Sequence, residues 1–476
     1  MQKERNPWQW LPSLYIIEGL PYIMVNVVAL TMYKNLKISN AEIALYTSWL
    51  YLPWVIKPLW SPIVDVLRTK KWWISMMQII IGGGFAGVAF TLPMENFFQY
   101  SLAVFWIIAF ASATNDIASD GFYMIGLRDD QQAFFIGIRS TFYKIGMWVG
   151  QGLIVTLTGV LYKYDQNYTS IWSYCFLGLG VVTVLFAFIH KFILPNKEAL
   201  KPQKEQDKGL KEVAIIASQL CIIGLGGWLT NKFLEIESTI PYLVIGGLVI
   251  IYVYFDLKKK AKKDSKILNS PIITFFKKED IYIAIVFILL YRLGEAQLVK
   301  IATPFLIDSI ENGGMGLSNE DLGFMYGTIG FICLVAGGIL GGVAIYKKGL
   351  KFWLIPMLVC LNLPNLGYWA LAFFELKNTI AISFVIAIEQ FFYGFGFTAL
   401  MMYMLYISKG KNETAHYAVC TGFMALGMML PGMVSGYIQE HLGYSTFFLF
   451  VVCSGVPAFL WSLKLKIDPT FGMNQK

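Results

Sequence analysis

The stretch that decides the fold is SATNDIASDGFYMIGLRDDQQAFFIGIRSTFYKIGMWVGQG, which runs from Ser112 to Gly152. It reads as the end of one apolar helix, a short charged turn, and the beginning of a second apolar helix. Its apolar parts contain four ionisable residues: Asp116, Asp120, Arg139 and Lys144. Because an unpaired charge in hydrocarbon is costly, such residues normally face a water-filled cavity or each other. The spacing of four puts both aspartates on one helix face, and we expect that face to line a pathway.

The composition indicates an integral membrane protein. Of 476 residues, 57% are hydrophobic and only 14% are charged, with a mean hydropathy of +0.58. Long unbroken apolar runs exclude a β-barrel, whose strands would alternate over about ten residues. The six cysteines form no C-x-x-C pair and the three histidines are scattered, so we expect neither disulfides nor a metal site. We also expect no cofactor, because the glycines from Gly82 to Gly87 lie within an apolar span and suit helix packing.

Apolar runs long enough to cross a bilayer predict an all-α, polytopic protein of about 14 transmembrane helices. They fall into a group of six, a pair and a second group of six, which gives three regions at 1–194, 195–279 and 280–476. The first helix reads as a retained span, not as a cleaved signal peptide. The predicted spans are 9–33, 42–63, 72–92, 98–126, 133–161, 170–194, then 212–230 and 239–257, then 280–308, 319–346, 351–374, 379–407, 414–439 and 444–465.

The basic residues predict the orientation. Of the 38 lysines and arginines, 28 lie on the side that both chain ends share, so both ends are expected in the cytoplasm. The basic linkers around the extra pair of spans are solvated segments that favour anionic lipid headgroups. The net charge of +8 is therefore explained by topology and membrane lipids, and no nucleic-acid partner is expected.

Two cytoplasmic turns carry a repeated pattern. Residues 60–65 (WSPIVD) precede Arg68 and Lys70, and residues 338–342 (GILGG) precede Lys347 and Lys348. This pattern resembles a degenerate form of the basic-loop signature of the major facilitator superfamily. The resemblance implies two six-helix bundles around a central cavity, here with two inserted helices.

Further stretches resemble the muropeptide permeases (AmpG type) and the related acetyl-CoA transporters of that superfamily. Asn115, Glu295 and Arg139 depart from the pattern. The matching stretches are Glu18 to Tyr22, Leu52 to Lys57 with Leu59 to Pro62 and Asp65, Ser112 to Asp116 with Asp120, Tyr143 to Met147, Tyr291 to Ala296, and Thr303 to Ile307.

The resemblance implies a proton-coupled symporter of the bacterial inner membrane that imports anhydro-muropeptides during peptidoglycan recycling. We expect a monomer whose two halves rock about a central site. The candidate proton carriers are Glu18, Asp116, Asp120, Glu295 and Glu389. The candidate substrate-binding residues are the cations Lys57, Arg139, Lys144 and Arg292 and the polar residues Tyr15, Tyr22, Asn26, Asn115, Tyr143, Gln297, Gln390 and Tyr393.

Other interpretations stay open at this point. The buried charges also suit plain ion pairing within the protein. The substrate could be an acyl-CoA or another anionic conjugate, and a solute-sensing receptor that does not transport would carry similar residues. A membrane enzyme would need a nucleophile with its base, or a metal cluster, and the sequence contains neither pattern. We therefore predict no catalytic residues.

Overall fold

The computed structural model describes residues 6–127, 129–196, 271–410 and 413–473. Within these residues the regular structure is helical and contains no strand. Nine of the helices are long and apolar enough to cross a membrane. The two extra spans predicted at 212–230 and 239–257, with most of the basic linkers beside them, lie outside the described residues.

Two of these nine stretches contain two helices each, and the helix at residues 40–67, which has a break in its middle, is a further one; counted separately, six long helices form each half of the described chain. In the first half they are α1 (Leu11–Asn35), α2 (Asn40–Trp49 and Leu52–Leu67), α3 (Lys70–Thr91), α4 (Phe97–Gly126), α5 (Asp129–Trp148, Val149–Ile154 and Val155–Asp165) and α6 (Tyr168–Ile193). In the second half they are α7 (Ile281–Tyr291 and Leu293–Ile307), α8 (319–348), α9 (350–373), α10 (Thr379–Ser408), α11 (413–442) and α12 (444–462). These bounds agree within a few residues with the predicted spans.

Two glycines separate helices that are otherwise continuous. Gly349 (φ 79°, ψ 162°) divides α8 from α9, and Gly443 (φ 72°, ψ 166°) divides α11 from α12. A positive φ with extended ψ is strained for any residue with a Cβ, so glycine is the residue that suits these tight reversals.

The helices alternate in direction, which gives the protein two ends. One end carries the connections after α2, α4, α6, α8 and α10, and we call it the proximal end. The other end carries the connections after α1, α3, α5, α7, α9 and α11, and we call it the distal end. The N-terminal residues of α1 and the C-terminal residues of α12 both lie at the proximal end.

Small residues allow close helix crossings, as the sequence predicted. A Cβ on Gly146 of α5 would meet the carbonyl oxygen of Ile16 on α1, and one on Gly337 of α8 would meet that of Phe391 on α10. Between the halves, Gly152 of α5 lies against Gly327 of α8. A backbone approach this close needs residues without side chains.

Three helices contain a π-helical segment. These segments are Met24–Val28 in α1, Val149–Ile154 in α5 and Met325–Gly330 in α8. The segments in α5 and α8 contain the two glycines that touch across the halves. Short π segments are rare and occur often at functional sites, so their position at this crossing directs attention to the interface.

Candidate functional site

The first charged pair of the interior joins α2 to α4. Lys57 Nζ lies 2.6 Å from Asp116 Oδ2, and the two side chains are 25% and 18% exposed. Pro53 and Pro58 flank this lysine in a helix that begins after a break at Leu50 and Tyr51. The pair therefore bridges two helices while keeping partial contact with solvent.

A second pair, toward the proximal end, joins α4 to α5. Arg139 Nη2 lies 2.7 Å from Asp120 Oδ1, with side chains 28% and 34% exposed. The Arg139 guanidinium also lies 5.0 Å from the ring centroids of both Tyr15 and Tyr123. Arg139, which did not fit the family pattern, thus has a cation–π and ion-pair site of its own. Exposure rises from 18% at Asp116 to 34% at Asp120, so the pair toward the proximal end is the more exposed one.

Glu18 of α1 lies among these pairs. It is 4% exposed, and its Oε2 atom has no hydrogen-bond partner among the described residues. The charges of Asp116, Asp120 and Arg139 all act on it. The described part of this cluster therefore holds three carboxyl groups and two cations.

Among its described residues, the second half has one buried ion pair, Arg292–Glu295. Arg292 lies at the break between the two segments of α7 and donates two hydrogen bonds to Glu295, of which the Nε to Oε2 bond measures 2.7 Å. Its Nη2 also donates to the Tyr393 hydroxyl at 3.1 Å, and the guanidinium lies 5.0 Å from the Phe397 ring centroid. Such a bidentate bond with further partners satisfies a guanidinium that is removed from water.

Tyrosines connect the two charged clusters. The Tyr22 ring lies 6.4 Å from those of Tyr51 and Tyr143 and 5.2 Å from that of Trp54. The charges of Asp116 and of the Arg292–Glu295 pair both act on Tyr22. Tyr22 therefore lies between the charged clusters of the two halves.

Lys144 and Gln390 face each other across the halves. They line a cavity of about 40 Å³ together with Gln151, Trp148 and Tyr326. Among the described residues Lys144 has no ion-pair partner within 4 Å, in contrast to Lys57 and Arg139. This volume admits a few water molecules at most, so a larger solute enters only when the halves separate.

Three other predicted site residues, Glu389, Gln297 and Asn26, form hydrogen bonds within their own half. Glu389 accepts a hydrogen bond of 2.8 Å from Gln390, and Gln297 donates to Leu293 O and to Ser454 Oγ on α12. Asn26 donates to Tyr22 O. Asn115 is fully buried, and neither of its amide atoms has a partner in the described chain. Of Glu389, Gln297, Asn26 and Asn115, only Asn115 makes no side-chain hydrogen bond to the described residues.

A set of polar contacts closes the distal end, and the sequence did not predict it. Lys34 Nζ lies 2.7 Å from Asp308 Oδ1, and Asn40 Nδ2 donates to Gln439 Oε1 at 2.7 Å and to the Tyr444 hydroxyl at 2.8 Å. On the other side of the interface Lys163 pairs with Glu320, and Asn35 Nδ2 donates to Asn319 Oδ1 at 3.1 Å. These residues lie at span ends, where the sequence alone suggests ordinary solvated side chains.

Two six-helix halves that enclose buried charged pairs, sealed at one end and partly hydrated toward the other, define a polytopic membrane transporter. The family model described as Major Facilitator Superfamily matches residues 13–409. The chain belongs to this superfamily, so it is a transporter of small molecules and not an enzyme.

Known relatives are similar along most of their length. The anhydromuropeptide permease of Escherichia coli (strain K12) is 23% identical over 412 residues, which cover 86% of this chain and 69% of the permease. The Rickettsia conorii (strain ATCC VR-613 / Malish 7) protein named AmpG 4 is 22% identical over 459 residues, 94% of this chain and 93% of the relative.

Solved transporters have the same fold. A POT family transporter in complex with 5-aminolevulinic acid superimposes with a TM-score of 0.66 at 12% identity, over 96% of this chain and 95% of that one. The nucleoside transporter NupG gives 0.62 at 16% identity, over 97% of this chain and 100% of that one. The predicted resemblance to the superfamily and the predicted helical fold are confirmed, whereas the number of 14 helices is not tested.

Proposed function

We propose that this transporter is a proton-coupled symporter that imports anhydro-muropeptides, or a related anionic sugar-peptide, into the cytoplasm by alternating access. The excess carboxyl group of the first-half cluster carries the proposal. Glu18, Asp116 and Asp120 outnumber Lys57 and Arg139 by one, so full ionisation would leave an uncompensated negative charge inside the protein. Binding one proton neutralises the cluster.

Substrate and proton binding are then linked by exchange of partners. A substrate carboxylate that bonds to Arg139 or Lys57 releases the aspartate now paired with it. The released aspartate binds a proton, because a carboxyl group in a poorly hydrated site with no cation is more stable when protonated. The partial exposure of Asp120 and Arg139 allows this exchange from the proximal side.

The predicted substrate class rests on a cation and on a group of aromatic rings near the interface between the halves. Lys144 is available for an anionic group, and the rings of Tyr22, Tyr143 and Trp54 supply surfaces for sugar rings. The permease relative bears anhydromuropeptide in its name.

The charge distribution of the loops supports the orientation. The sequence predicts 28 of the 38 basic residues on the side that the chain ends share, and we propose that this side, the proximal one, faces the cytoplasm of a bacterial inner membrane. The sealed distal end then faces outward, and the protein adopts an inward-facing arrangement. We propose that it acts as a monomer, since the site lies between the halves of one chain.

Counterflow in proteoliposomes tests the proposal. We expect anhydro-muropeptide loaded inside the vesicles to drive uptake of labelled anhydro-muropeptide from outside. A proton gradient directed into the vesicles should drive its accumulation. Uptake of an acyl-CoA in place of the muropeptide would identify the alternative substrate. Binding without flux of any of these solutes, or of free sugars, would identify a receptor and overturn transport.

A further inference from the structure

One buried lysine has no part in the site described above. Lys300 lies in the middle of the second segment of α7 and is 1% exposed. Its Nζ donates to Thr47 Oγ1 on α2 at 3.0 Å and lies 5.1 Å from the ring centroid of Tyr51. A cationic side chain of the second half therefore ends against two residues of the first half.

No carboxylate of the described residues lies within ion-pair distance of Lys300. The α11 surface beside it presents Gly432, and the surrounding apolar cluster contains Met428, Met429 and Met433. The titratable group in contact with it is the Tyr51 phenol.

The charged groups on the helices that pack against Lys300 are engaged elsewhere. On α7, Arg292 and Glu295 bond to each other, and Asp308 at its end pairs with Lys34 of α1. On α2, Glu42 is exposed and accepts from Ser39; on α11, Glu440 accepts from the backbone of Ala41. His416 and His441 lie at opposite ends of α11, and Tyr444 bonds to Asp308.

An ammonium group in this position is poorly compensated. It has three N–H donors, of which one reaches the Thr47 hydroxyl, and its surroundings are the Tyr51 aromatic ring and an apolar cluster. Opening the α2–α7–α11 contact would admit water to the same group and remove the cost of its charge. The closed contact therefore favours a neutral Lys300 amine, and an open contact favours the ammonium.

We propose that Lys300 is a proton-binding site, separate from the carboxyl groups, that controls opening of the distal end. The amine takes a proton from the distal aqueous phase when the contact opens and must release it before the contact closes. Lower pH on the distal side then favours the distal-open state. The proposal deepens the proposed function, because it assigns a second proton site to the same transport cycle.

A cysteine on the other side of the distal interface reports opening. Thr156 of α5 packs against Gly323 of α8, and it is remote from α2 in the chain. Thr156→Cys should therefore react with an impermeant thiol reagent when the distal end opens. The protein without the added cysteine gives the background from native cysteines. Tyr164→Cys, at a side chain 84% exposed, gives the intrinsic pH dependence of labelling.

Three variants of Lys300 separate charge from packing. The parent here is Thr156→Cys with Lys300 intact, and its labelling is corrected for the background of native cysteines and for the intrinsic pH dependence given by Tyr164→Cys. We expect this corrected labelling to rise as pH falls, by up to about tenfold per pH unit for one linked proton. Lys300→Met should give low labelling that is independent of pH, and Lys300→Arg, which keeps its charge, should give high labelling independent of pH. Lys300→Gln, which keeps a polar end, should behave like Lys300→Met.

A parent whose corrected labelling does not change with pH overturns the proposal, as does a pH dependence that survives in both Lys300→Met and Lys300→Gln. The measurement uses no substrate. Failure of muropeptide counterflow would therefore reject the proposed substrate without altering these labelling results, so the two proposals fail separately.

Discussion

Lys34 Nζ at the end of α1 lies 2.7 Å from Asp308 Oδ1 at the end of α7, and the pair joins the two halves at the distal end. Asp308 also bonds to the Tyr444 hydroxyl, and Lys34 donates to Asn40 Oδ1 at 2.8 Å. One ion pair thus connects α1, α2, α7 and α12. Its strength affects how readily the distal end opens.

Asp308→Asn should favour the distal-open state. The variant leaves the Lys34 charge without its counter-charge in a site where both side chains are largely buried. We expect the closed state to lose about 1–2 kcal/mol of stability relative to the open state, which raises the open-to-closed ratio roughly five- to thirtyfold. Labelling of Thr156→Cys measures it. Glu375→Gln, in the exposed distal pair with Lys377, is the matched control and should change little. Equal labelling in the two variants would remove the pair from the gate.

Glu18→Gln should uncouple transport from the proton gradient. The variant removes the excess carboxyl group of the cluster while keeping its size and one hydrogen-bonding oxygen. We expect counterflow to continue, whereas accumulation driven by a pH step falls at least about tenfold. Glu42→Gln on the exposed face of α2 is the control. Full gradient-driven accumulation by Glu18→Gln would exclude the excess proton from coupling.

Lys144→Met should weaken binding of anionic ligands selectively. Loss of one charge-assisted hydrogen bond costs about 1.4 kcal/mol or more, which is a tenfold rise in Kd. A neutral sugar should bind as it does to the parent, and Lys144→Arg should retain most of the anion affinity. Isothermal titration calorimetry with a charged and an uncharged ligand measures both affinities in the parent and in each variant. A similar loss for both ligands would assign Lys144 a packing role.

Arg292→Met should reduce stability, in contrast to Lys144→Met. Removal of Arg292 leaves Glu295 buried with no cation, which costs about 3–5 kcal/mol. The double variant Arg292→Met/Glu295→Gln should recover much of this loss, and thermal unfolding in detergent measures both. If the double variant is no more stable than the single one, packing of the guanidinium against Tyr393 and Phe397 dominates.

Gly327→Ala should hinder distal closure. A Cβ at this position would overlap Gly152 on the facing π segment, and overpacking of this kind costs about 1–3 kcal/mol. Gly342→Ala on the same helix meets no atom within 4 Å and is the matched control. We expect increased labelling of Thr156→Cys in the first variant and parental labelling in the second.

The sequence predicted the helices well because a membrane span is encoded locally. Length and apolar composition are sufficient to identify α4 at 98–126, against Phe97–Gly126 in the structure. Buried ionisable residues were also visible, since a charge inside an apolar run is conspicuous. Of the predicted charged residues of the first half, Glu18, Lys57, Asp116, Asp120 and Arg139 lie together and Lys144 lies apart, and their transport roles are still predictions.

The sequence alone does not predict which of those charges form pairs. Lys57 and Asp116 are 59 residues apart, and their contact depends on how α2 and α4 rotate and pack. The same limit applies to Lys34 and Asp308, which look like solvated residues at span ends. Lys300 was recognised as an intramembrane charge, but its only described hydrogen bond, to Thr47, joins residues 253 positions apart.

The π segments in α1, α5 and α8 change the angular phase of these helices. One additional residue in a turn rotates every later side chain by about 100° relative to an uninterrupted α-helix. On α5 the π segment therefore keeps Lys144, which lines the cavity beside α8, and Thr156, which packs against Gly323 of α8, on about the same face. A scan of substitutions along either helix should show two periodic patterns, offset from each other, with the change of phase at the π segment.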